Sequence, residues 1–405
     1  MRKGWLKHTL EDLCHFGNGL WSGKKPPFVN VGVIRNTNFT KDGLLDDSDI
    51  VYLDVEQSQY SKRKLQFGDI ILEKSGGGPK QPVGRVVIFD KKKGDFSFSN
   101  FTSLIRVKDK DLLDFAYLHR FLYFAYISGI TEKMQSHSTG IRNLKFDEYK
   151  KIEIVYPSLS EQKRIVAILD ETFAAIDKAK ANVEKNIKNT TELFESYLQG
   201  VFEKKGIGWE KATLADVCSL YQGIAINAKT KHALVEKSDL PLLRIKDLKN
   251  NTVEQYIDPQ NFPRNALVNE RDIIYTRTGS LGLVFKGRKG VLHNNSFKVV
   301  PNSKIDSDFL FIWLQNPKFK AKILELALKA AQPDITHAIF KIQEISFPSI
   351  KQQQTIVRQI DALRVETQRL EAVYQMKIAY MEELKKSSLQ KAFTGELKTE
   401  KAFTV

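Results

Sequence analysis

The sequence predicts an α+β protein: two globular α+β domains separated by two long helices that pair as an antiparallel coiled coil. Three observations lead to this fold class. The chain has 405 residues, 42% of them hydrophobic, which is enough for more than one hydrophobic core. The sequence contains an internal repeat, so that its two halves share one pattern. Each copy ends in a long segment without proline, in which apolar residues recur at helical spacing.

The internal repeat is visible in three blocks. Residues 10–19 return as 214–223, at a shift of 204, and residues 67–76 return as 270–279, at a shift of 203. From residue 143 to residue 202 the shift settles at 191 without a gap. Residues matched in this last block include Pro157 and Pro348, Gln162 and Gln353, and Asp170 and Asp361. Each half of the chain is therefore a globular segment followed by a long helical one.

The globular segments contain the signals of both strands and helices. Short β-branched runs at 69–72, 85–89 and 104–107 are separated by Gly, Pro and Asn and predict strands. Residues 112–127 and 309–328 follow a helical pattern. This mixture predicts an α+β domain in each half.

The helical segments begin at matched prolines. Pro157 and Pro348 each precede a serine and then about 45 residues without proline, which is typical of a long helix entered at its first turn. Each helix would span about 60 Å. The predicted boundaries are 1–156 for the first domain, 157–204 for the central helix, 205–347 for the second domain, and 348–405 for the C-terminal helix and tail.

Apolar residues in both helices follow the 3-4 spacing of a coiled-coil seam. The predicted seam contains Ile165, Leu169, Ile176, Val183 and Leu193 in the first helix and Ile356, Ile360, Leu363, Leu370 and Leu384 in the second. The seam is weaker in the middle. The alternative is that each helix packs only onto its own domain. Antiparallel pairing would place the two domains at opposite ends, so that the coiled coil acts as a ruler.

The charge distribution points to a polyanionic partner. The net charge is +15. Segment 1–156 carries 25 Lys and Arg against 19 Asp and Glu, or +6, and segment 205–347 carries 21 against 14, or +7. The basic excess therefore lies in the two globular segments, as expected of two separate nucleic-acid-binding surfaces.

Several classes of protein are disfavoured. The two cysteines, Cys14 and Cys218, do not provide a disulfide framework or a multi-cysteine zinc site. No segment has the length of apolar sequence that a membrane span requires, and the first residues do not resemble a signal peptide. We therefore expect a cytoplasmic protein that binds no metal and does not enter a membrane.

No catalytic residue can be nominated. The nearest match to an amino-methyltransferase motif, Lys25-Pro26-Pro27-Phe28, has a cation where a hydrogen-bond acceptor is needed. Asp69 with Glu73-Lys74 lacks the spacing of a metal-dependent nuclease. The glycines between 17 and 25 do not have the spacing of a phosphate-binding loop. The sequence therefore predicts a protein that recognises rather than modifies.

Gly-rich loops in both halves carry Lys, Arg, Asn and Gln, which can neutralise phosphates or pair with base edges. The candidate DNA-binding residues are Lys24, Lys25, Arg35, Lys74, Lys80, Gln81, Arg85, Arg142 and Asn143 in the first half, and Asn227, Lys229, Arg244, Lys246, Arg277, Lys286, Arg288 and Lys289 in the second. Any one of them can instead be an ordinary solvated surface residue. The loops as groups are the stronger prediction.

Together these features resemble the specificity subunits of Type I restriction-modification systems over essentially the whole chain. The resemblance lies in the start around Trp5, the two Gly-Asp-Ile-Ile-like strands, and the helix entry Pro157-Ser-Leu-Ser-Glu-Gln162. The helix ends at 198–202 and 389–397 belong to the same pattern. The second helix entry departs from the pattern because Gln352 replaces the glutamate.

The resemblance implies that residues 1–156 and 205–347 are target-recognition domains, each reading one half of a bipartite, asymmetric sequence in double-stranded DNA. It also implies that the helices set the spacer and dock two modification subunits, and that restriction subunits join the complex. This chain would bind no cofactor, and S-adenosylmethionine, Mg²⁺ and ATP would be bound by the partners. Two alternatives remain: a structural coiled-coil scaffold, or the reading subunit of a related phage-defence methylation or fused-nuclease system.

Overall fold

The structure is a computed structural model that describes residues 4–21, 23, 25–78, 81–138, 141–204, 206–329 and 331–397. The chain divides into two compact units. The first unit comprises residues 1–183 and 375–405, and the second comprises residues 184–374. Each of the two long helices therefore contributes to both units. The division of the chain into four segments stays a prediction.

The first globular segment and the helix that follows it contain twelve strands and five α-helices within the described residues. They are β1 (Leu6–Thr9), α1 (Leu10–Leu13), β2 (Cys14–Asn18), β3 (Phe28–Ile34), β4 (Val51–Glu56), α2 (Gln57–Arg63), β5 (Ile70–Glu73), β6 (Ser75–Gly77), β7 (Val86–Ile88), β8 (Phe96–Phe98), β9 (Thr102–Val107), α3 (Phe115–Ile127), β10 (Gln135–Ser138), β11 (Ile141–Leu144), α4 (Phe146–Lys150), β12 (Glu153–Tyr156) and α5 (Leu159–Glu203).

The second globular segment and its helix follow a similar order. Their elements are β13 (Glu210–Thr213), α6 (Leu214–Val217), β14 (Cys218–Gln222), β15 (Leu234–Val235), β16 (Leu242–Leu243), α7 (Ile245–Asn250), β17 (Tyr256–Ile257), β18 (Leu267–Val268), β19 (Ile273–Thr276), β20 (Val284–Phe285), β21 (Gly290–Leu292), β22 (Ser296–Pro301), α8 (Ser307–Leu314), α9 (Pro317–Ala327), α10 (His337–Lys341), β23 (Glu344–Phe347) and α11 (Ile350–Thr394).

An antiparallel four-stranded sheet of order β2-β9-β5-β7 forms the centre of the first unit. Residues 70–72 of its strand β5 are all apolar because both faces of the sheet are covered there. Ile70 and Leu72 lie in one core cluster, whereas Ile71 lies in another on the opposite face, as the two-residue period of a strand requires. The described residues of this unit also form two three-stranded sheets, β10-β11-β6 and β4-β3-β8, and a two-stranded sheet, β1-β12.

The same sheet recurs in the second unit with the order β14-β22-β19-β20. Ile273 and Tyr275 belong to the larger core and Ile274 to a separate cluster, so that β19 is buried on both faces like β5. Three smaller sheets, β13-β23, β15-β17 and β16-β21-β18, lie beside it in the second globular segment. The predicted helix at 309–328 is two helices, because Asn316 caps α9 and Pro317 occupies its first turn.

Matched capping boxes start the first helix of each globular segment, α1 and α6. The hydroxyl of Thr9 donates to Asp12 at 2.6 Å and the hydroxyl of Thr213 donates to Asp216 at 2.6 Å. These hydrogen bonds from threonine lower the pKa of both carboxyl groups. The repeated Leu-x-Asp pattern therefore encodes a helix start in each half.

Both long helices have 45 residues, and they pair in antiparallel fashion. In the first unit Asp177 contacts Lys385 at 2.5 Å and Lys180 contacts Glu382 at 2.6 Å, so that numbers rise along α5 as they fall along α11. In the second unit the hydroxyl of Thr191 donates to Glu371 at 3.0 Å in the same register.

Each unit builds its core from the start of one long helix and the end of the other. The first core includes Ile165 and Leu169 of α5 together with Leu389 of α11. The second includes Val357 and Ile360 of α11 together with Leu198 of α5. The helices thus pack both against one another and against the globular segments, which excludes the alternative that each helix packs only onto its own domain.

Most of the predicted seam residues are buried or half-buried: Ile165, Leu169, Ile176, Val183, Ile356, Ile360 and Leu363. Leu193, Leu370 and Leu384 lie outside the seam between the two helices of this chain, since they are 68%, 37% and 52% exposed. The residues that follow them, Phe194, Glu371 and Lys385, face the partner helix or the core instead. The seam accepts polar residues at these turns, so the apolar pattern alone is misleading there.

Among the described residues no helix is long and apolar enough to cross a membrane. The described part of the chain also contains no group of His, Cys, Asp and Glu side chains placed to hold a metal ion. Both cysteines are buried and free, and burial raises the pKa of each thiol to about 12.

Candidate DNA interface

Three loops and a strand of the first unit meet at one end of its central sheet. Lys74 follows β5, and its Nζ donates to the Oδ1 of Asn18 at the end of β2, at 2.8 Å. The Nδ2 of Asn36 donates to the carbonyl of Ser75 at 2.7 Å. The Ser75 hydroxyl in turn contacts Asn143 of β11. The fold therefore gathers candidate residues that are far apart in the sequence.

The second unit repeats this arrangement. The backbone N–H groups of Arg277 and Thr278 both donate to the carbonyl of Asn295, at 2.9 and 3.3 Å, as those of Lys74 and Ser75 donate to Phe101, at 3.0 and 3.2 Å. Arg277 and Lys74 thus occupy equivalent positions at the end of the central strand. The two units present different cations from the same place on the same scaffold.

Close backbone approach explains one repeated glycine. A Cβ at Gly19 would overlap the carbonyl oxygen of Ser99, and a Cβ at Gly223 would overlap that of His293. Only glycine permits this contact, which holds the loop after β2 or β14 against the neighbouring turn. The glycine is therefore a structural requirement of the loop cluster in both units.

Each loop cluster borders a cleft. The cleft of the second unit has a volume of 520 Å³ and is lined by Arg277, Thr278, Gly279, Asn294, Asn295, Gln332, Pro333 and Asp334. The first unit has a cleft of 370 Å³ lined by Leu20, Trp21, Gly23, Val33, Arg35, Leu53, Asp54, Val55, Ser99 and Asn100. Both clefts open beside the turn that precedes β9 or β22, but large apolar side chains such as Trp21 and Leu53 line the first, whereas Pro333 is the one apolar side chain among the described residues that line the second.

Most candidate cations already have carboxylate partners. The pairs are Arg35–Asp49, Arg85–Glu73, Arg142–Glu132, Arg244–Asp247, Lys246–Glu254, Arg277–Asp334 and Lys286–Asp308. Exposed pairs contribute only about 0 to 1 kcal/mol, so the cation of such a pair can turn to a phosphate at little cost. A buried pair is far harder to separate, because it would leave an isolated charge.

Arg85 belongs to the buried kind. Its side chain is 11% exposed, and its guanidinium donates to both oxygens of Glu73 at 2.8 Å and to the carbonyls of Phe39 and Asn36, at 3.0 and 3.2 Å. With the amide of Gln81 in the orientation that satisfies its neighbours, the Gln81 oxygen accepts from the same guanidinium at 2.9 Å. Arg85 therefore stabilises the loop with its guanidinium enclosed, whereas the exposed Gln81 stays a candidate for DNA contact.

The other candidates differ in their accessibility. Lys25, Lys229 and Lys289 are exposed. Asn227 closes a turn by accepting from the backbone N–H of Lys229 at 2.9 Å, and Arg288 contacts Asn251. Burial lowers the pKa of Lys74. Lys24 and Lys80 lie outside the described residues.

Sequence reasoning missed residues that line the clefts. Trp21 is 62% exposed on the loop after β2, and Asp334 and Asn295 face the cleft of the second unit. A tryptophan between a glycine-rich stretch and two lysines was a usable signal for Trp21. Asp334 gave no local signal, because its partner Arg277 is 57 residues away.

A duplicated sheet scaffold, with an unlike set of polar loops at one end of each copy and paired helices after each copy, defines a two-headed recognition protein. The chain belongs to the family described as the Type I restriction modification DNA specificity domain, whose family model matches residues 2–189 and 206–375.

Sequence similarity to known relatives extends over most of the chain. The Type I restriction enzyme EcoKI specificity subunit of Escherichia coli K12 is 24% identical, covering 98% of this chain and 89% of the relative. The StySPI specificity subunit of Salmonella potsdam is also 24% identical, covering 90% and 82%.

Solved structures share the fold. A chain from a structure of complex assembly and conformational transition in the type I R-M system superposes with a TM-score of 0.79 at 17% identity, covering 98% of this chain and 99% of the other. The HsdS subunit from Thermoanaerobacter tengcongensis gives a TM-score of 0.62 at 16% identity, covering 98% of each chain.

Proposed function

We propose that this chain is the DNA sequence-recognition subunit of a Type I restriction-modification complex, in which each globular head reads one half of a bipartite, asymmetric target. The observation that supports this most directly is the pair of loop clusters at equivalent places, with Lys74 in one and Arg277 in the other. The similar scaffolds place the loops of both heads in the same way. The side chains on these loops differ between the heads and would therefore select different bases.

The paired helices would set the spacing between the half-sites and dock two modification subunits, with restriction subunits joining that complex in the cytoplasm. On this proposal the chain itself performs no chemistry. S-adenosylmethionine, Mg²⁺ and ATP would be bound by the partner subunits.

The experiment is to co-express the chain with its modification subunit in a host without adenine methylation and to map every methylated adenine in the genome. We expect one asymmetric motif with two short specified blocks and a fixed gap. An intact complex that methylates nothing, or that methylates a contiguous or palindromic motif, would refute the two-headed proposal.

Two further variants separate the parts of the proposal. Exchanging residues 205–347 for the corresponding segment of a relative should change one half-site only. Removing two helical turns from each long helix should alter the gap, because docked heads must stay in phase with a duplex that repeats every ~34 Å. An unchanged gap would argue against the helices as the spacer.

A further inference from the structure

Arg277 directly follows β19, and both polar groups of its backbone are hydrogen-bonded. Its N–H donates to the carbonyl of Asn295 at 2.9 Å, and its own carbonyl accepts from the N–H of Ile335 at 2.9 Å. Its side chain borders the polar cleft of the second unit and is 23% exposed. The backbone at Arg277 is therefore fixed, whereas its guanidinium faces the cleft.

Asp334 orients the guanidinium from one edge. The Nε of Arg277 donates to Oδ1 of Asp334 at 2.9 Å, and its Nη2 donates to Oδ2. A carboxylate in this side-on position occupies two of the five N–H donors. The remaining edge, formed by Nη1 and the second N–H of Nη2, has no partner among the described residues and points away from the carboxylate.

The other candidate arginines lack this arrangement. Arg85 uses Nη1 and Nη2 for backbone carbonyls as well as for Glu73. Arg244 uses both N–H groups of Nη2, one for Asp247 and one for Glu254. Among the candidate arginines with a bidentate carboxylate partner, Arg277 alone keeps its end-on edge available for a ligand.

We propose that Arg277 reads a guanine in the half-site of the second head and that Asp334 is the residue that positions it; this rests on the function proposed above. Two parallel N–H donors match the O6 and N7 acceptors on the major-groove edge of guanine. A guanidinium already aligned by a carboxylate loses less side-chain freedom when it binds. The equivalent residue of the first head, Lys74, is a point donor without this fork, so that the two heads differ at a matched reading position.

The first test maps methylation by the complex carrying Arg277→Lys, which keeps the charge and removes the fork. We expect one guanine position in one block to lose its preference by about 5- to 150-fold, the range of a good bidentate base contact. The other block and the gap should not change. The control is Arg271→Lys, the same change at an exposed residue before β19 rather than after it, which should leave the motif intact.

The second test uses the wild-type complex and therefore does not depend on how a variant folds. Duplexes carry 7-deazaguanine, which lacks the N7 acceptor, at one guanine at a time in the half-site assigned to the second head by domain exchange. At one position we expect weaker binding by the wild type and no effect on the complex carrying Arg277→Ala, which has no donor at this position. Asp334→Asn should weaken the same preference by a smaller factor.

Several outcomes would overturn the role of Arg277. One is a second half-site without a G·C pair, and another is indifference of the wild type to 7-deazaguanine at every position. A third is an unchanged motif with Arg277→Lys but uniformly weaker binding to all sequences, which would make Arg277 a phosphate contact. A wild-type complex with no bipartite motif would instead contradict the proposed function itself.

Discussion

At the scale of single residues, Gln162 and Gln353 join each long helix to its globular segment. Both side chains are fully buried. The oxygen of Gln162 accepts from the N–H of Asp114 at 2.8 Å, and its amide donates to the carbonyls of Leu112 and Pro157, both at 2.9 Å. Gln353 makes the equivalent three contacts with Asp306, Lys304 and Pro348. The Pro-x-x-x-x-Gln pattern is therefore a structural connection rather than a binding motif.

Replacing either glutamine by leucine should destabilise its own unit. Gln162→Leu leaves three buried backbone groups without partners, and each such group costs about 1 to 3 kcal/mol. We expect a loss of about 3 kcal/mol or more in the first unit and the same in the second unit for Gln353→Leu, measured by amide hydrogen exchange. Gln354→Leu, at the exposed neighbouring position, should change little. Equal protection in all three variants would contradict this account.

Lys385 is the other buried polar residue that organises a helix contact. It is 3% exposed and lies between Asp177 of α5 at 2.5 Å and Asp42 at 3.3 Å, with the ring of Phe173 at 5.5 Å. The two carboxylates are about half exposed, at 53% and 47%. Loss of the cation therefore leaves two hydrated carboxylates, whereas loss of the carboxylates leaves a buried cation.

This asymmetry gives opposite expectations for the two sides of the contact. Lys385→Met should keep stability within about 1 kcal/mol of the wild type or raise it, because an apolar side chain often replaces a buried ion pair without cost. The double variant Asp42→Ala with Asp177→Ala should lose about 3 to 5 kcal/mol. Urea unfolding monitored by amide hydrogen exchange in the first unit measures the stability of both variants. Equal losses of stability in the two would disprove the argument.

At the scale of elements, the long helices show how far a periodic pattern can be trusted. Their length and start follow from the proline positions and the apolar repeat, and the predicted antiparallel pairing is confirmed by contacts between the helices. The position of the seam in later turns does not, because Leu193, Leu370 and Leu384 look more suitable than the residues that occupy it. Helix ends here pack against globular cores, and those cores select Phe194 and accommodate the aliphatic stem of Lys385.

Substitution with aspartate should therefore separate the two kinds of helix position. Ile360→Asp places an unpaired carboxylate in the core of the second unit and should cost more than about 3 kcal/mol. Leu193→Asp, on the exposed face, should change stability by less than about 0.5 kcal/mol. Thermal unfolding of the two variants compares them directly. A severe effect of Leu193→Asp on folding, without any partner present, would place Leu193 back in the seam.

At the scale of the whole molecule, the basic excess is divided between two heads. We expect the accessible lysines to supply the part of DNA binding that does not depend on base sequence. Lys229→Ala and Lys289→Ala should each reduce the slope of log K against log salt by about 1, since each neutralised phosphate contributes about 0.9. The methylated motif should stay unchanged. Salt-titrated binding to target and non-target duplexes checks this, and an altered motif would show that these lysines contact bases.

The amino-acid sequence by itself determined the duplication, the α+β class and the two 45-residue helices, since these features depend on local patterns and short periods. Only the tertiary structure decided which charged residues are available to a ligand. Arg85 and Arg277 look alike along the chain, yet one is enclosed by internal acceptors and the other keeps an open edge. The physical reason is that ion pairing depends on distance in space, and Arg277 meets Asp334 across 57 residues of chain.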